Sequence, residues 1–286
     1  MTGLRALVAE ELSLPVDPRV GAIAEAIAAK YATASRAVLF YGSCLREREL
    51  DGRMLDFYLI VSGYRAAYGK SWLAAANRLV PPNVFYFEKD GLAAKYAVLS
   101  EADFHRLNGP ETSSVSVWAR FAQPSRLVWA PDEAARRRAI DAVSRAAPTL
   151  LAAAGPIEGE KPLALWRRAF DLTYSAELRA ERKGRSKSVV DVDPERYRRF
   201  APPALAAAQS MPVAGNWGWR RFEGKSLSVL RLAKASATFA GGADYIAWKI
   251  NRHAGTNIQL QPWQRRWPLL AAISLLPRLL RSGAVR

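Results

Sequence analysis

The alternation of apolar and polar residues along the first part of the chain predicts a small β-sheet. Residues 37–41 and 55–61 are apolar runs of strand length, rich in β-branched and aromatic side chains. A Gly-Ser pair and a polar loop separate these two runs. Residues 84–87 and 95–99 predict a hairpin, because the Lys-Asp-Gly sequence at 89–91 is typical of a tight turn.

Apolar residues spaced three and four apart predict helices elsewhere in the chain. The predicted helices comprise residues 18–32, 71–80, 101–107, 132–154, 164–183 and 202–210. Ser100 is the expected N-cap of the third helix, and the Gly155-Pro156 pair should end the fourth. Residues 215–224, which contain two tryptophans and two arginines, are expected to form a loop before a strongly basic segment.

The balance of strands and helices changes near residue 155, which predicts an α/β (α+β) fold with more than one domain. A chain of 286 residues is long for a single domain. We assign residues 1–155 to a domain with a mixed sheet, 156–225 to a mainly helical domain and 226–286 to a basic C-terminal segment.

The charge balance points to an anionic partner. The chain has 42 Lys and Arg against 26 Asp and Glu, a formal net charge of +16. Such an excess favours nucleotides, nucleic acids or acidic lipids as partners. The single cysteine, Cys44, excludes an internal disulfide and indicates a reducing compartment. We interpret it as a small buried side chain behind the Gly-Ser turn rather than as a nucleophile.

The sequence pattern predicts neither secretion nor a membrane span. Residues 1–15 contain two adjacent glutamates and no sustained apolar stretch, so neither a signal peptide nor a mitochondrial presequence is expected. No run reaches the roughly 18 apolar residues that a spanning helix needs. We therefore expect a soluble or peripheral protein.

The Gly42-Ser43 turn and Asp56 form the most informative motif. Glycine allows a sharp turn and a close approach to phosphate. The N–H groups of the turn, the Ser43 hydroxyl and the following helix N-terminus can bind phosphate oxygens. Asp56, at the start of the next strand, can hold the Mg²⁺ that bridges those oxygens. The arrangement resembles the triphosphate site of polymerase β-type nucleotidyltransferases. The alternatives are a plain turn and a strand-end cap, and Asp51 is a weaker candidate for an additional metal ligand.

A longer series of segments resembles one family. Residues 40–43 and 54–57 are similar to the signature of the mitochondrial phosphatidate cytidylyltransferase family, also called the translocator assembly and maintenance family. Later segments resemble family segments in the same order: 84–87, 91–98, 119–124, 172–179, 187–190 and Tyr197. The resemblance spans roughly residues 37–200 and rests on the ordered series rather than on any single piece.

The resemblance implies a polymerase β-like nucleotidyltransferase domain, a winged-helix-like helical domain and a membrane-binding C-terminal amphipathic helix. It also implies that CMP passes from CTP to phosphatidic acid, with Mg²⁺, to give CDP-diacylglycerol and pyrophosphate at the membrane surface. Tyr58 stands where the wider superfamily usually has a second carboxylate, and the cytidylyltransferase family also lacks an acid there. The missing presequence suggests a bacterial relative that is cytoplasmic and peripheral on the inner membrane.

Resemblance and charge together assign roles to particular residues. The predicted catalytic residues are Asp56 and Lys95, and the predicted metal ligands are Asp56 and Glu177. The predicted nucleotide-binding residues are Gly42, Ser43, Lys95 and Arg120, and the predicted phosphatidate-binding residues are Tyr174, Ser175, Arg179 and Lys187. The alternatives are a solvent-facing Lys95, an Arg120 that contacts a lipid headgroup, an exposed helical Glu177, and core packing of Tyr174 and Ser175.

The C-terminal residues 264–281 predict a membrane contact. They contain an apolar stretch, 267–277, bracketed by arginines, which is too short to span a bilayer. Tryptophan at one end and arginine at the other suit a membrane interface. Each upstream basic residue, Lys234 and Lys249 among them, would add about 1 kcal/mol of attraction to an anionic membrane. Packing of this helix against the protein core is the alternative.

Three functions are compatible with the sequence alone. The first is a phosphatidate cytidylyltransferase, for which no stable nucleic-acid partner is expected. The second is a nucleotidyltransferase that acts on a soluble or RNA acceptor through the same Gly-Ser turn and Asp56. The third is a non-catalytic basic protein that binds RNA or lipid, which the missing second carboxylate favours. Apart from the resemblance, no residue selects CTP over other nucleotides.

Overall fold

The computed structural model describes residues 3–47, 49–177, 189–212, 216–238, 259 and 261–266. The strands are β1 (Ser35–Tyr41), β2 (Met54–Val61), β3 (Asn83–Lys89), β4 (Leu92–Ser100) and β5 (Ser125–Trp129). The helices before the last strand are α1 (Leu4–Leu12), α2 (Pro18–Ala29), α3 (Ser43–Glu47), α4 (Tyr64–Ala67), α5 (Ser71–Leu79), α6 (Glu101–Leu107) and α7 (Trp118–Phe121). The later helices are α8 (Glu133–Ser144), α9 (Ala146–Ala154), α10 (Pro162–Ala176), α11 (Pro194–Ala208), α12 (Trp217–Thr238) and α13 (Pro262–Arg266).

The five strands form one mixed sheet in the order β3-β4-β2-β1-β5. Strands β2 and β4 are parallel, whereas the other three neighbouring pairs are antiparallel. The mixed sheet and its many helices confirm the predicted α+β class. They match the arrangement expected of a nucleotidyltransferase-like fold.

The predicted hairpin is confirmed by the pairing of β3 with β4. Asp90 and Gly91 connect the two strands and both have positive φ, at 52° and 75°. This is the conformation of the primed two-residue turns that match the twist of a hairpin, and Asp-Gly is a favoured sequence for it. The turn places Lys89 opposite Leu92 and so fixes the register of the whole hairpin.

Helices cover both faces of the sheet. Side chains alternate along β1, so that Val38 and Phe40 join the cluster under α2, while Ala37 and Leu39 join a larger cluster with α1 and α6 to α11. Cys44 is buried in the α2 cluster, as the sequence predicted.

One predicted helix, 132–154, is two helices in the structure. The Asp132 side chain caps α8 by accepting from the N–H of Ala135 at 2.7 Å. The helix ends at Ser144, because Pro148 has no N–H to donate to the Ser144 carbonyl. Helix α9 then ends at Gly155, whose φ of 65° suits glycine.

Three further boundaries differ from the prediction. Residues 217–224 are not a loop but the start of α12, where the Asn216 side chain accepts from the N–H of Gly218 at 2.6 Å. Helix α10 ends at Ala176, because Glu177 has an extended backbone, so the predicted continuation of this helix to residue 183 is wrong at that point. Helix α11 starts at Pro194 after an Asp193 cap, not at Pro202, because Asp-Pro supplies both a cap and a first-turn proline.

The buried cluster that includes α1 and α9 continues through α10 and α11, across the predicted domain boundary at residue 155. That boundary stays a prediction. The C-terminal stretch 267–286 lies outside the described residues. In the part of the chain that the structure describes, every helix is too short or too polar to cross a lipid bilayer.

Candidate functional site

The turn after β1 and the carboxyl group of Asp56 face each other. Tyr41, the last residue of β1, pairs with Asp56 in the antiparallel ladder. Gly42 follows with a φ of 97°, and a Cβ at this position would lie 2.8 Å from Oδ2 of Asp56. Only glycine fits this conformation and this separation without strain. The sequence motif therefore assembles into one edge of the sheet, with a bare backbone opposite a carboxylate.

Lys95 completes this edge from the neighbouring strand. Asp56 and Lys95 are directly opposite each other in the parallel pairing of β2 with β4. The Nζ of Lys95 lies 2.9 Å from Oδ1 of Asp56, and the two side chains are 25% and 18% exposed. The predicted catalytic pair is thus in contact and remains open to solvent. The alternative in which Lys95 simply faces solvent is wrong, because its amino group contacts Asp56.

Ser43 begins α3 directly after the turn and is half-buried, like Gly42. Cys44 points the other way, with its Sγ 3.5 Å from the carbonyl oxygen of Met54. Burial, together with the charge of Asp56, raises the pKa of the Cys44 thiol. The thiol is therefore protonated near neutral pH and is a poor nucleophile, which agrees with the structural interpretation of Cys44.

Aromatic rings form the floor beside Asp56. Tyr58, two residues along β2, points to the same face and is 2% exposed. Its ring centroid lies 5.3 Å from that of Tyr41 and 5.2 Å from that of Phe121. The side chain two residues after Asp56 is thus a packed phenol and not a second carboxylate. Burial raises the pKa of Tyr58 and of Tyr41, so both stay neutral.

A second charged cluster adjoins this floor. Glu177 follows α10 and is 7% exposed, which excludes the alternative of an exposed helical charge. Its Oε1 lies 3.6 Å from Nη1 of Arg120, on α7, and 4.0 Å from Nη1 of Arg231, on α12. The charges of all three residues act on Tyr58, as does that of Asp56. The charges around Asp56 and those around Glu177 therefore act on the same tyrosine.

Backbone carbonyls hold the basic groups of this second cluster. Arg120 donates to the carbonyl oxygen of Ser116 on its own helical turn. Arg231 donates from Nε to the carbonyl oxygen of Pro81 at 2.8 Å. One turn further along α12, the Nζ of Lys234 donates to the carbonyl oxygens of Val80 and of Pro82, the latter at 2.8 Å.

Burial and charge act differently on these three cations. For Arg120, burial disfavours the charged form, but the charge of Glu177 and smaller contributions from other acidic neighbours together outweigh it, and the pKa is raised. Burial lowers the pKa of Arg231, and Arg120 adds to that lowering while Glu177 opposes it. Burial and the charge of Arg231 lower the pKa of Lys234 to about 7. The charge of Glu223 also opposes the lowering at Arg231.

The remaining predicted residues lie at the end of α10 or outside the described residues. Tyr174 is half-buried, with its ring centroid 6.4 Å from that of Phe170. Ser175 is exposed, donates to the carbonyl oxygen of Leu172 at 2.7 Å and accepts from Nε of Arg221 at 3.3 Å. Arg179 and Lys187 fall in the stretch 178–188, which is outside the described residues.

Two basic residues of the site were not predicted. Arg231 was not singled out, and Lys234 was assigned to membrane attraction, whereas its amino group binds two backbone carbonyls. The signal was present in the sequence: Arg220, Gly224 and Arg231 are four and seven residues apart and so share one helix face. It was missed because residues 215–224 were interpreted as a loop.

The donor set suits a Mg²⁺ that arrives with phosphate. Among the residues that the structure describes, no group of three or more His, Cys, Asp or Glu side chains could hold a metal ion. Mg²⁺ is commonly held by one or two carboxylates together with substrate phosphates and water. Asp56 is the carboxylate suited to that role, since the absence of a Cβ at Gly42 lets its carboxylate lie against the backbone of the turn. The contacts of Glu177 with two guanidinium groups favour a counter-ion role instead.

The fold and the site define an α+β protein with a polar, glycine-lined edge of its sheet. No protein-family model matches the chain, and no curated protein shows significant sequence similarity to it. The family resemblance in the sequence motifs therefore stays a hypothesis.

Proposed function

We propose that this protein is a Mg²⁺-dependent nucleotidyltransferase that transfers CMP from CTP to phosphatidic acid. The products would be CDP-diacylglycerol and pyrophosphate. The observation that carries the proposal is the contact of three sequence-predicted elements: the Gly42 turn, Asp56 and Lys95. A side-chain-free turn beside a carboxylate and an ammonium group is suited to a metal-chelated polyphosphate.

The nucleotide end of the reaction belongs to the Asp56 cluster. The backbone of Gly42 and the Ser43 hydroxyl would bind phosphate oxygens, and Lys95 would neutralise part of their charge. When bound by Asp56 and the phosphates, Mg²⁺ would supply further positive charge as pyrophosphate departs. The sequence motifs that resemble the cytidylyltransferase family are what favour CTP over other nucleotides.

The acceptor needs little activation. A phosphate monoester has a second pKa of about 6 and is a nucleophile near neutral pH. One of its oxygens would bond to the α-phosphorus, while the bond from that phosphorus to the bridging oxygen breaks and pyrophosphate leaves with the electron pair. No proton has to be removed. The protonated neighbours Tyr41, Tyr58 and Cys44, which are poor bases, are compatible with such a reaction.

The outer face of α12 supports a lipid acceptor over a soluble one. Trp219, Phe222 and Leu230 are all more than half exposed, and the rings of Trp219 and Phe222 lie 5.8 Å apart. They share one side of the helix with the exposed Lys225. Exposed aromatic residues beside basic residues suit the interface of an anionic bilayer. The net charge of +16 has the matching sign.

The test is a screen of nucleotides against acceptors with the purified full-length protein and Mg²⁺. CTP with phosphatidate in liposomes should yield pyrophosphate and CDP-diacylglycerol. Transfer to a soluble or RNA acceptor without liposomes would instead support the second candidate. If no nucleotide is consumed with any acceptor by well-folded protein, the enzymatic proposal is wrong and the non-catalytic alternative stands.

A further inference from the structure

Three distant segments of the chain bring two arginines to one carboxylate. Arg120, Glu177 and Arg231 come from α7, from the end of α10 and from α12. The separations of 3.6 Å and 4.0 Å between Oε1 of Glu177 and the two guanidinium groups exceed those of ordinary hydrogen bonds. These are loose ion pairs, in which the guanidinium groups are held near the carboxylate without being locked to it.

Other contacts hold each guanidinium group from behind. Arg120 is bonded to the carbonyl of Ser116, and Arg231 to the carbonyl of Pro81. The Nη2 of Arg231 also approaches the Ser114 hydroxyl at 3.5 Å. A guanidinium group has five N–H donors, so these contacts leave donors for an anion. These contacts already orient the two guanidinium groups. The arginine side chains would therefore lose little further conformational entropy when an anion binds.

The close approach of α12 to α10 fixes the position of Arg231. Gly224 lies where a Cβ would overlap the carbonyl oxygen of Ala176, the residue before Glu177. The absence of a side chain therefore allows α12 to pack directly against the end of α10. Arg231 follows two turns later on the same face of the helix, beside Glu177.

The ion pairs around Glu177 are not one to one. Arg120 and Arg231 both approach the single carboxylate of Glu177, and the charge of Glu223 also acts on Arg231. With Lys234 protonated, three cations stand against these two carboxylates. By contrast, Asp56 and Lys95 form a balanced pair. A half-buried excess of cations is costly unless an anion compensates it. Two guanidinium groups are suited to a phosphate monoester dianion, because each can form bidentate charge-assisted hydrogen bonds.

We propose that Arg120 and Arg231 form a subsite for the phosphate group of the acceptor, next to the nucleotide end at Asp56. Glu177 is a positioning residue, since its charge keeps two mutually repelling guanidinium groups together. This inference rests on the proposed function and deepens it. It assigns Arg231, a residue without a role in the sequence motifs, to acceptor recognition.

The test compares Arg231→Gln with wild type in steady-state kinetics, using dihexanoyl phosphatidate as a soluble acceptor. We expect KM for the acceptor to rise by about 10-fold or more, the size of effect that follows the loss of charge-assisted hydrogen bonds. KM for CTP should change less than about 2-fold. A 2-fold change corresponds to a free energy of RT ln 2, which is small compared with that of a charge-assisted hydrogen bond. Arg231→Lys, which keeps the charge, should fall between the two. Arg65→Gln, the same change at an exposed arginine of α4, is the matched control and should behave as wild type.

Direct binding separates this inference from the proposed function. In titration calorimetry without nucleotide, wild type should bind dihexanoyl phosphatidate more tightly than inorganic phosphate, and Arg231→Gln should weaken the former. If the calorimetry gives this result but the wild-type protein shows no transferase activity, the proposed function is wrong and the phosphate subsite stands. An effect on KM for CTP alone, or no effect of Arg231→Gln on KM and affinity for the acceptor, would overturn the subsite. If Arg231→Gln does not fold, as judged by thermal unfolding, Arg231→Lys decides by the same criteria.

Discussion

Asp56 and Glu177 are both acidic residues with basic partners, but the structure assembles their surroundings in different ways. Gly42, Asp56 and Lys95 lie on three neighbouring segments of one sheet, and strand pairing alone places them together. Glu177 meets Arg120 and Arg231 only because helices α7, α10 and α12 pack against one another. The first cluster is built by backbone hydrogen bonds and the second by side-chain packing.

The difference has a functional consequence. A ladder of strand hydrogen bonds fixes the Asp56 cluster, so a change that only removes the charge of Asp56 should affect chemistry more than folding. The Glu177 cluster contains half-buried charge and depends on the approach of α12, so changes there should affect both. The predictions below test this contrast, from the largest expected effect to the smallest.

Replacing Asp56 by Asn should have the largest effect on the proposed activity. The change removes the carboxylate that would hold Mg²⁺ but keeps the size of the side chain. We expect kcat to fall by about 10²- to 10³-fold, the usual cost of removing one group that stabilises developing charge. The melting temperature should stay close to that of wild type. Asp141→Asn, which removes an exposed carboxylate on α8, is the control and should keep full activity. Equal activity of the Asp56 variant and wild type would refute the assignment.

Gly42→Ala should reduce activity and stability together. The new Cβ would lie 2.8 Å from Oδ2 of Asp56, and the φ of 97° is unfavourable for alanine. We expect a loss of about 1–3 kcal/mol in the free energy of unfolding, the range for strained backbone positions. Activity should fall because the carboxylate is displaced.

Gly52→Ala separates strain from contact at the turn. Gly52 also has a positive φ, 66°, but no atom lies within 4 Å of its would-be Cβ. This variant should lose some stability and keep its activity. If both glycine variants lose activity to the same extent, the contact between the turn and Asp56 is not what matters.

The sequence allowed the Asp56 cluster to be predicted, because its geometry follows from local rules. Two apolar runs of strand length flank the Gly-Ser pair and a polar loop, and the glycine after the first run was predicted to face the acid near the start of the second. Lys95 was out of pattern in an apolar strand, and parallel register placed it opposite Asp56. The same rules predicted the hairpin at Asp90 and Gly91 and the cap at Ser100.

The Glu177 cluster could not be predicted in the same way. Its partners are far apart in the sequence, and no local rule states which helices will meet. Arg220, Arg231 and Lys234 of α12 face inward, while Trp219 and Phe222 face outward, which reverses the usual pattern of a surface helix. Residues 215–224 were interpreted as a loop, and Arg231 was missed with the helix that carries it.

Gly224→Ala should disturb the Glu177 cluster while leaving the Asp56 cluster intact. A Cβ at this position overlaps the carbonyl oxygen of Ala176, so α12 must move away from α10. We expect a loss of about 1–3 kcal/mol in the free energy of unfolding, as for other overpacked sites. KM for the acceptor should rise more than KM for CTP.

Gly21→Ala is the control for this helical glycine. Gly21 lies within α2 and has no atom within 4 Å of its would-be Cβ, so alanine should stabilise the helix by up to about 1 kcal/mol. Equal stabilisation by both substitutions would show that α12 does not pack closely against α10.

The smallest effect concerns the pH dependence of stability, and it tests whether positive charge is in excess around Glu177. Burial and Arg231 lower the pKa of Lys234 to about 7 from an ordinary value of 10.5. Between these values the unfolded chain binds a proton that the folded protein has released, so stability should rise with pH across this window. Below pH 7 both states are protonated, and this contribution to stability is lost.

Lys234→Met, which keeps the length of the side chain without its charge, should flatten this rise. The urea midpoints of wild type and of the variant at pH 7 and pH 9.5 measure it, and Lys225→Met, at an exposed position, should keep the slope of wild type. A slope that Lys234→Met leaves unchanged would mean that Lys234 titrates as an ordinary lysine. The amino group would then be well solvated, and the contrast between a balanced Asp56 pair and a cation-rich Glu177 cluster would rest on the two arginines alone.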